Sequence, residues 1–236
     1  MKIGIIAPSP VPFVIGGAEN LWAGMLAAFN RQQGIECELI KLPSPERNFA
    51  EVLASYRYFA KLDLNHFDLL ISTKYPAWAV RHPNHIVYLQ HKLRGLYDTY
   101  PAQLPTQLDP SLLKRANLPR ALWPLLIQAD HSAANWASRD IASRDTASID
   151  VPSLDIAEIV TQILPLVQNS ATSSAFSFPG PLTRAIVHLL DRIALGAGAY
   201  ACRSVGARRI VGSPSGRRVG PLWGSAPAGA RTRIRG

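Results

Sequence analysis

Residues 1–29 do most to limit what this chain can fold into. Lys2-Ile3-Gly4-Ile5-Ile6-Ala7 is a short, nearly continuous apolar run, the pattern of a strand buried on both faces in a parallel sheet. Pro8, Pro10 and Pro12 end it, because proline has no ladder donor and disfavours helix before it. Gly16-Gly17 then opens a helix expected from Ala18 to about Gln33. Leu21, Trp22, Met25, Leu26 and Phe29 recur at spacings of three and four and build one apolar face. Gly34 is placed for a C-cap. A helix N-terminus suits a phosphate, and two glycines permit positive φ and close approach of a ligand. A tight strand-to-helix turn without a ligand uses the same residues. The turn is not a G-x-G-x-x-G fingerprint, and no G-x-x-x-x-G-K-[ST] follows.

The same alternation continues. Ile35 to Leu42 reads as a second strand with Ile35, Cys37, Leu39 and Lys41 on one face. Glu46 to Leu62 reads as a helix with Phe49, Val52, Leu53, Tyr56 and Phe59 or Ala60 inward, and Ser44 is the expected N-cap. Leu69 to Thr73 and His85 to Gln90 are further strands, with a short helical turn at Ala77 to Val80 between them. Strands alternating with helices at this spacing imply an α/β fold with a parallel sheet and flanking helices. Ligands of such sheets sit beyond the C-terminal strand ends. Gly16/Gly17, Lys74/Tyr75 and Gln90/His91 fall there, far apart in sequence but converging on one edge.

Charge divides the chain. Residues 1–195 hold 17 Lys and Arg against 16 Asp and Glu, whereas residues 196–236 hold eight Arg and no acid. The overall charge of +9 therefore describes the last 41 residues, and a partner inferred from it would be a partner of that tail. Cys37 and Cys202 are far apart and lack metal-ligand spacing, so neither a disulfide framework nor a zinc site is expected. No apolar run is long enough to cross a membrane. The prolines and Glu19 interrupt what would otherwise imitate a leader, so a cytoplasmic protein is expected.

KIGIIAPSPVPFVIGGAEN, FDLLISTKYPAW and HPNHIVYLQHKLRGLYD together resemble the N-terminal domain of a family 4 glycosyltransferase. The resemblance is good over residues 1–100 and weaker to about 195. It implies a Rossmann-like domain, one half of a GT-B fold, over residues 1–195. It also implies sugar transfer from a nucleotide-sugar to a sugar or lipid-linked acceptor, with retention at the anomeric carbon. The nucleotide-sugar is a substrate, and no cofactor or metal is implied. Gly16 and Gly17 match the family's turn near the donor phosphates, Glu19 matches the acid after it, and His91 matches the strand-end histidine near the sugar or acceptor, the expected catalytic position. Lys74, Tyr75, Gln90 and Arg94 are further expected cleft or acceptor residues. The resemblance leaves room for a separate chain supplying the second domain and for peripheral contact at the inner membrane surface. No specific nucleic acid is expected.

Read without the resemblance, each residue keeps a plainer alternative. His91 can be a core histidine bonded to backbone, Lys74 a surface lysine or a phosphate contact, and Glu19 a first-turn acid favouring the helix dipole. Arg94 is a solvated loop residue or meets an anion. Trp78, Tyr88, Tyr97 and Tyr100 pack the core or line a groove.

Further along, helices are expected at Pro110–Ala116 and Pro119–Ala129, the second with Ala121, Leu122, Leu125, Leu126 and Ala129 on one face. A period-five repeat, ASRDI, ASRDT, ASIDV, PSLDI, spans Ala137 to Ile156. It matches neither helix nor strand periodicity, and a low-complexity loop is expected at 132–153. Leu154 to Val167 and Leu182 to Leu195 are amphipathic. After Leu195 Gly, Ala, Ser, Pro and Arg dominate, which predicts a disordered basic tail at 196–236. Such a composition is also what a GC-rich gene yields when read out of frame. A frameshifted or truncated enzyme would lack the family's donor-binding second domain and show little or no turnover. The alternative function is a non-enzymatic binder of nucleic acid or an anionic surface through the tail. A small hydrolase or oxidoreductase ranks last, since G-x-S-x-G, G-x-G-x-x-G and C-x-x-C are missing.

Overall fold

Four parallel strands form the centre of the protein, in the order β2-β1-β3-β4, with a short fifth strand outside β4. They are β1 (Lys2–Ser9), β2 (Glu36–Pro43), β3 (Leu69–Ser72), β4 (His85–Leu89) and β5 (Tyr200–Arg203). The computed structural model describes residues 1–10, 15–136, 154–196 and 200–203, all within one unit, Met1–Val205. The helices are α1 (Gly17–Asn30), α2 (Phe49–Ala60), α3 (Pro110–Arg115), α4 (Trp123–Trp136), α5 (Ile156–Gln168) and α6 (Pro181–Gly196). The expected α/β class with a parallel sheet is what forms.

Side-chain alternation sorts the strands between two cores. Ile3, Ile5, Cys37 and Ile71 face one way and pack with Met25, Leu26 and Phe29 of α1. Ile6, Leu70 and Val87 face the other way, toward a larger core shared with α2, α4, α5 and α6. Gly4 lies on that side, and a Cβ there would stand 2.8 Å from Leu70 Cδ2 and 3.2 Å from the Phe67 ring. Its small size is a packing requirement. The inward face expected for α2 is buried as read: Phe49, Val52, Leu53, Tyr56, Phe59 and Ala60. Each large apolar side chain buried there contributes roughly 1.5–3 kcal/mol.

Several boundaries differ from the sequence reading. Helix α2 begins at Phe49, and Asn48 caps it by accepting from Glu51 N at 3.0 Å. Ser44 is therefore not the cap, and Glu46 lies in the loop before the helix. Arg31 is the C-cap of α1, while Gly34 supplies a positive φ of 78° in the turn that follows. On α1 only Trp22 is buried and Leu21 is exposed; among the described residues α1 is the helix that packs on this face of the sheet. Of the face expected over Pro119–Ala129, Leu122 on the 3-10 turn Arg120–Leu122 and Leu126 and Ala129 on α4 are buried, and Ala121 is exposed. The expected tail boundary also moves. Helix α6 runs to Gly196, and Tyr200–Arg203 pairs with Ile86–Leu89, so this stretch belongs to the sheet. The period-five repeat from Ala137 to Ser153 and the rest of the basic tail lie outside the described residues. Among the described residues no helix is long and apolar enough to cross a membrane.

Candidate functional site

The strand order makes β1 and β3 the switch point. The chain leaves β1 for β2 on one side and returns to β3 on the other, opening a crevice beyond their C-terminal ends. The segments after β2, β3 and β4 start there, as does the N-terminus of α1. Gln90 N donates to Thr73 O at 2.9 Å, and Ser44 N donates to Ser9 O at 3.1 Å, so the ends of β4 and β3 are tied together, as are those of β2 and β1.

At the β1 end, Gly16 is the N-cap of α1 with φ −126°, and its N–H donates to Glu19 Oε2 at 3.0 Å. This corrects one expectation: neither glycine uses positive φ, and a Cβ on Gly17 would meet nothing within 4 Å. The Glu19 carboxylate already sits on the helix N-terminus, the position expected for a phosphate. It serves the helix dipole and the capping box together.

Lys74, directly after β3, is only 7% exposed, which excludes the surface-lysine reading. Its Nζ lies 5.4 Å from the centroid of the Trp22 ring, and Lys41 Nζ lies 5.9 Å from the same ring. Burial pushes the Lys74 amine below its ordinary value, Glu19 and Glu46 oppose the shift, and Lys41 adds to it. Burial likewise raises the Glu46 carboxyl, against the pull of Lys74 and His91. Glu46 is a member of the cluster that the sequence reading missed. Placing it inside α2 hid it; the Pro43-Ser44-Pro45 turn just before it was the available signal.

His91 is partly buried, with Nδ1 3.0 Å from Lys92 O. A carbonyl only accepts, so Nδ1 carries the proton in the neutral ring and Nε2 is left as an acceptor. Tyr75 is buried between the rings of His91, at 6.4 Å, and Trp78, at 6.5 Å. Among the described residues, the buried Trp22 Nε1, Ser44 Oγ and Gln90 Oε1 have no hydrogen-bond partner. The sheet edge thus gathers Gly16, Gly17, Glu19, Lys74, Tyr75, Gln90 and His91. Arg94 stands apart as an exposed residue on a 3-10 turn.

Beneath these loops lies a network that sequence reasoning missed. Asp191 of α6 is 1% exposed and accepts from Tyr56 Oη at 2.5 Å, Trp78 Nε1 at 2.8 Å and Tyr97 Oη at 2.7 Å. Burial raises its carboxyl and the three donors oppose that rise. Trp78 and Tyr97 follow β3 and β4, so both belong to the core rather than to a groove. Tyr88 packs partly buried on the α1 side, and Tyr100 Oη donates to Pro105 O at 2.9 Å. Elsewhere, a cleft of about 380 Å³ is lined by Lys114, Asn117, Leu118, Arg120 and Trp123. None of these belongs to the strand-end loops, and Trp123 Nε1 already donates to Leu118 O.

The edge cluster can hold polar groups between donors and acceptors of opposite charge. No known protein family matches the sequence, and neither a curated protein nor a solved structure matches it.

Proposed function

We propose that this chain is the acceptor-side half of a retaining, nucleotide-sugar-dependent glycosyltransferase of family 4, a Rossmann-like domain of a GT-B enzyme. The observation that carries the reading is the convergence of Glu19, Glu46, Lys74 and His91 at the β1/β3 switch point. The resemblance of the three opening motifs supports it. In this reading His91 presents Nε2 to a sugar hydroxyl, and the buried Lys74 holds polar oxygen beside it. Gly16 and Gly17 set the α1 N-terminus toward the donor side. The second domain would supply most of the donor contacts, and closure of the two would exclude water. The chain alone therefore gives little or no turnover. Its place is cytoplasmic, at the inner membrane surface if the acceptor is lipid-linked.

The test begins in the encoding DNA. All three frames are translated beyond the codon for Arg203, and any continuation with a second α/β domain is expressed in frame with residues 1–203. The extended protein is expected to transfer labelled sugar from a nucleotide-sugar to a glycoside or lipid-linked acceptor, and the 236-residue chain is not. Failure of every frame to continue, or of the extended protein to transfer from UDP-, GDP- or ADP-sugars, overturns the reading.

A further inference from the structure

The cleft lined by Lys114 and Arg120 holds charge that no described residue balances. Helix α3 stops at a reversal, where Asn117 adopts a φ of 53°. Asn117 N donates to Lys114 O at 3.0 Å and Leu118 N to Leu113 O at 3.2 Å, and Pro119 keeps the helix from resuming at once. The 3-10 turn Arg120–Leu122 then leads into α4, and Trp123 Nε1 donates back to Leu118 O at 3.0 Å. Residues from both sides of the reversal therefore line one cleft of about 380 Å³: Lys114, Asn117 and Leu118 before Pro119, Arg120 and Trp123 after it. Leu118 is buried and Trp123 half-buried, whereas Lys114, Asn117 and Arg120 are exposed. Among the described residues these three side chains make no hydrogen bond or ion pair. No acid lies between Asp109 and Asp130 in the sequence, and both of those are engaged elsewhere. Asp109 caps α3 through Ser111 N at 2.8 Å and feels the charge of Arg115. Asp130 accepts from Leu108 N at 2.8 Å and from Arg184 Nη1 at 3.2 Å.

The lining selects the chemistry of an occupant. Lys114, Asn117 and Arg120 are rich in donors, with Asn117 Oδ1 their one side-chain acceptor, so the occupant accepts hydrogen bonds and carries negative charge. A phosphate monoester bears about −1.5 to −2 charges near pH 7 and three acceptor oxygens, which suits two cations and an amide. A carboxylate brings a single charge and two oxygens. A cleft of about 380 Å³ lies within the range of small-molecule sites, roughly 300–1,000 Å³, and exceeds what a bare phosphate needs. Leu118 and the Trp123 indole give the remainder of the ligand an apolar wall. We propose that this cleft binds a phosphate monoester of a flat or apolar group, with Lys114 and Arg120 on the phosphate and Trp123 against the rest. The site is separate from the strand-end crevice, and it does not rest on the glycosyltransferase reading.

The experiment uses the full 236-residue chain with 15N-labelled tryptophan, and Trp123→Phe assigns the Trp123 indole N–H signal. The probes are phenyl phosphate, inorganic phosphate, benzoate and benzyl alcohol at matched ionic strength and neutral pH. Phenyl phosphate is expected to shift the Trp123 signal saturably in the millimolar range, at least fivefold more tightly than inorganic phosphate or benzoate. Benzyl alcohol is expected to give no saturable response. Lys114→Gln and Arg120→Gln, both at exposed positions, are each expected to weaken binding at least fivefold with melting unaltered, and Arg120→Lys to weaken it less. Lowering the pH to 5, below the second ionisation of the monoester at about 6, is expected to weaken it at least twofold. The proposal is overturned if phenyl phosphate leaves the Trp123 signal unmoved, or if the response survives both glutamine variants. A response that benzyl alcohol reproduces overturns it too, as do shifts confined to other indoles such as Trp223 in the basic segment.

Discussion

Trp78 Nε1 donates to Asp191 Oδ1 at 2.8 Å, joining the loop after β3 to helix α6 across 113 residues of sequence. Tyr97 brings the loop after β4 to the same carboxylate. The segments that carry Lys74 and His91 are thus both held from behind by one buried acid.

Removing that acid leaves three buried donors without a partner. Asp191→Ala is expected to cost about 3–5 kcal/mol, from the unmet Tyr56, Trp78 and Tyr97 donors. Asp191→Asn keeps one acceptor oxygen and is expected to cost less. Urea denaturation of the two variants beside the parent checks the order, and an Asp191→Ala midpoint equal to the parent's would show that the network holds nothing.

The second prediction concerns acid. His85 is buried against Ser72 Oγ, with Nε2 at 2.8 Å, and burial lowers its imidazole to about 4. His188 is lowered to about 3, first by burial and then by Arg184, Lys92 and Arg192. No hydrogen bond of good geometry reaches either of its ring nitrogens, and the nearby Leu96 backbone only softens the shift. Both rings stay neutral in the fold and take up protons more readily once it opens. Their stabilising contribution is complete above the ordinary imidazole value of about 6.5 and is lost as pH falls toward about 4 and 3. Each is expected to contribute a slope of about 1.4 kcal/mol per pH unit in that window. Urea midpoints at pH 7, 6 and 5 test this. His188→Leu is expected to flatten the slope by about half.

Gly4 and Gly17 are expected to part company. Gly4→Ala pushes a methyl against the fully buried Leu70 and the Phe67 ring, which must shift to admit it, and is expected to cost about 1–3 kcal/mol. Gly17→Ala adds a helix-favouring residue in open space and is expected to change stability by less than about 0.5 kcal/mol, or to raise it by up to about 1 kcal/mol. Thermal melts of the two variants separate these outcomes.

Glu46→Gln is expected to stabilise the fold at neutral pH, because burial disfavours the charged carboxyl more than Lys74 and His91 favour it. A raised carboxyl is fully compatible with the fold below its ordinary range and opposes it once ionised. The gain should therefore be present at pH 7 and vanish near pH 4. A variant less stable than the parent at pH 7 would mean that the carboxylate has a partner on folding. Stability given up at such a position is common where a residue is kept for binding.

These residues also mark how far sequence reasoning reached. Strands β1, β3 and β4 and the buried face of α2 could be read because their patterns are local: an unbroken apolar run, or a repeat at three and four. The convergence of Gly16, Lys74 and His91 followed from strand polarity alone. Glu46 was hidden by a helix start set three residues too early, since Asn48 and Ser44 are equally good caps on paper and only the tertiary fold chooses. Asp191 and His188 were invisible for a different reason. Each sits on an amphipathic helix where a polar letter reads as the wet face, and only Tyr56, Trp78 and Tyr97, far away in sequence, bring Asp191 inside. Trp22 was placed inward correctly, but its two lysine neighbours, Lys41 within β2 and Lys74 after β3, come from elsewhere in the sequence.

One pairing bears on how the chain is made. Ile86 pairs with Tyr200, so β4 reaches the ribosome's exit more than a hundred residues before its outer neighbour. At roughly 5–20 residues per second, a nascent sheet would present a bare edge for some 5–20 seconds, an open template for another copy. Chains whose synthesis stalls in that interval would keep the edge for good, which makes the yield of this protein sensitive to the pace of translation between β4 and β5.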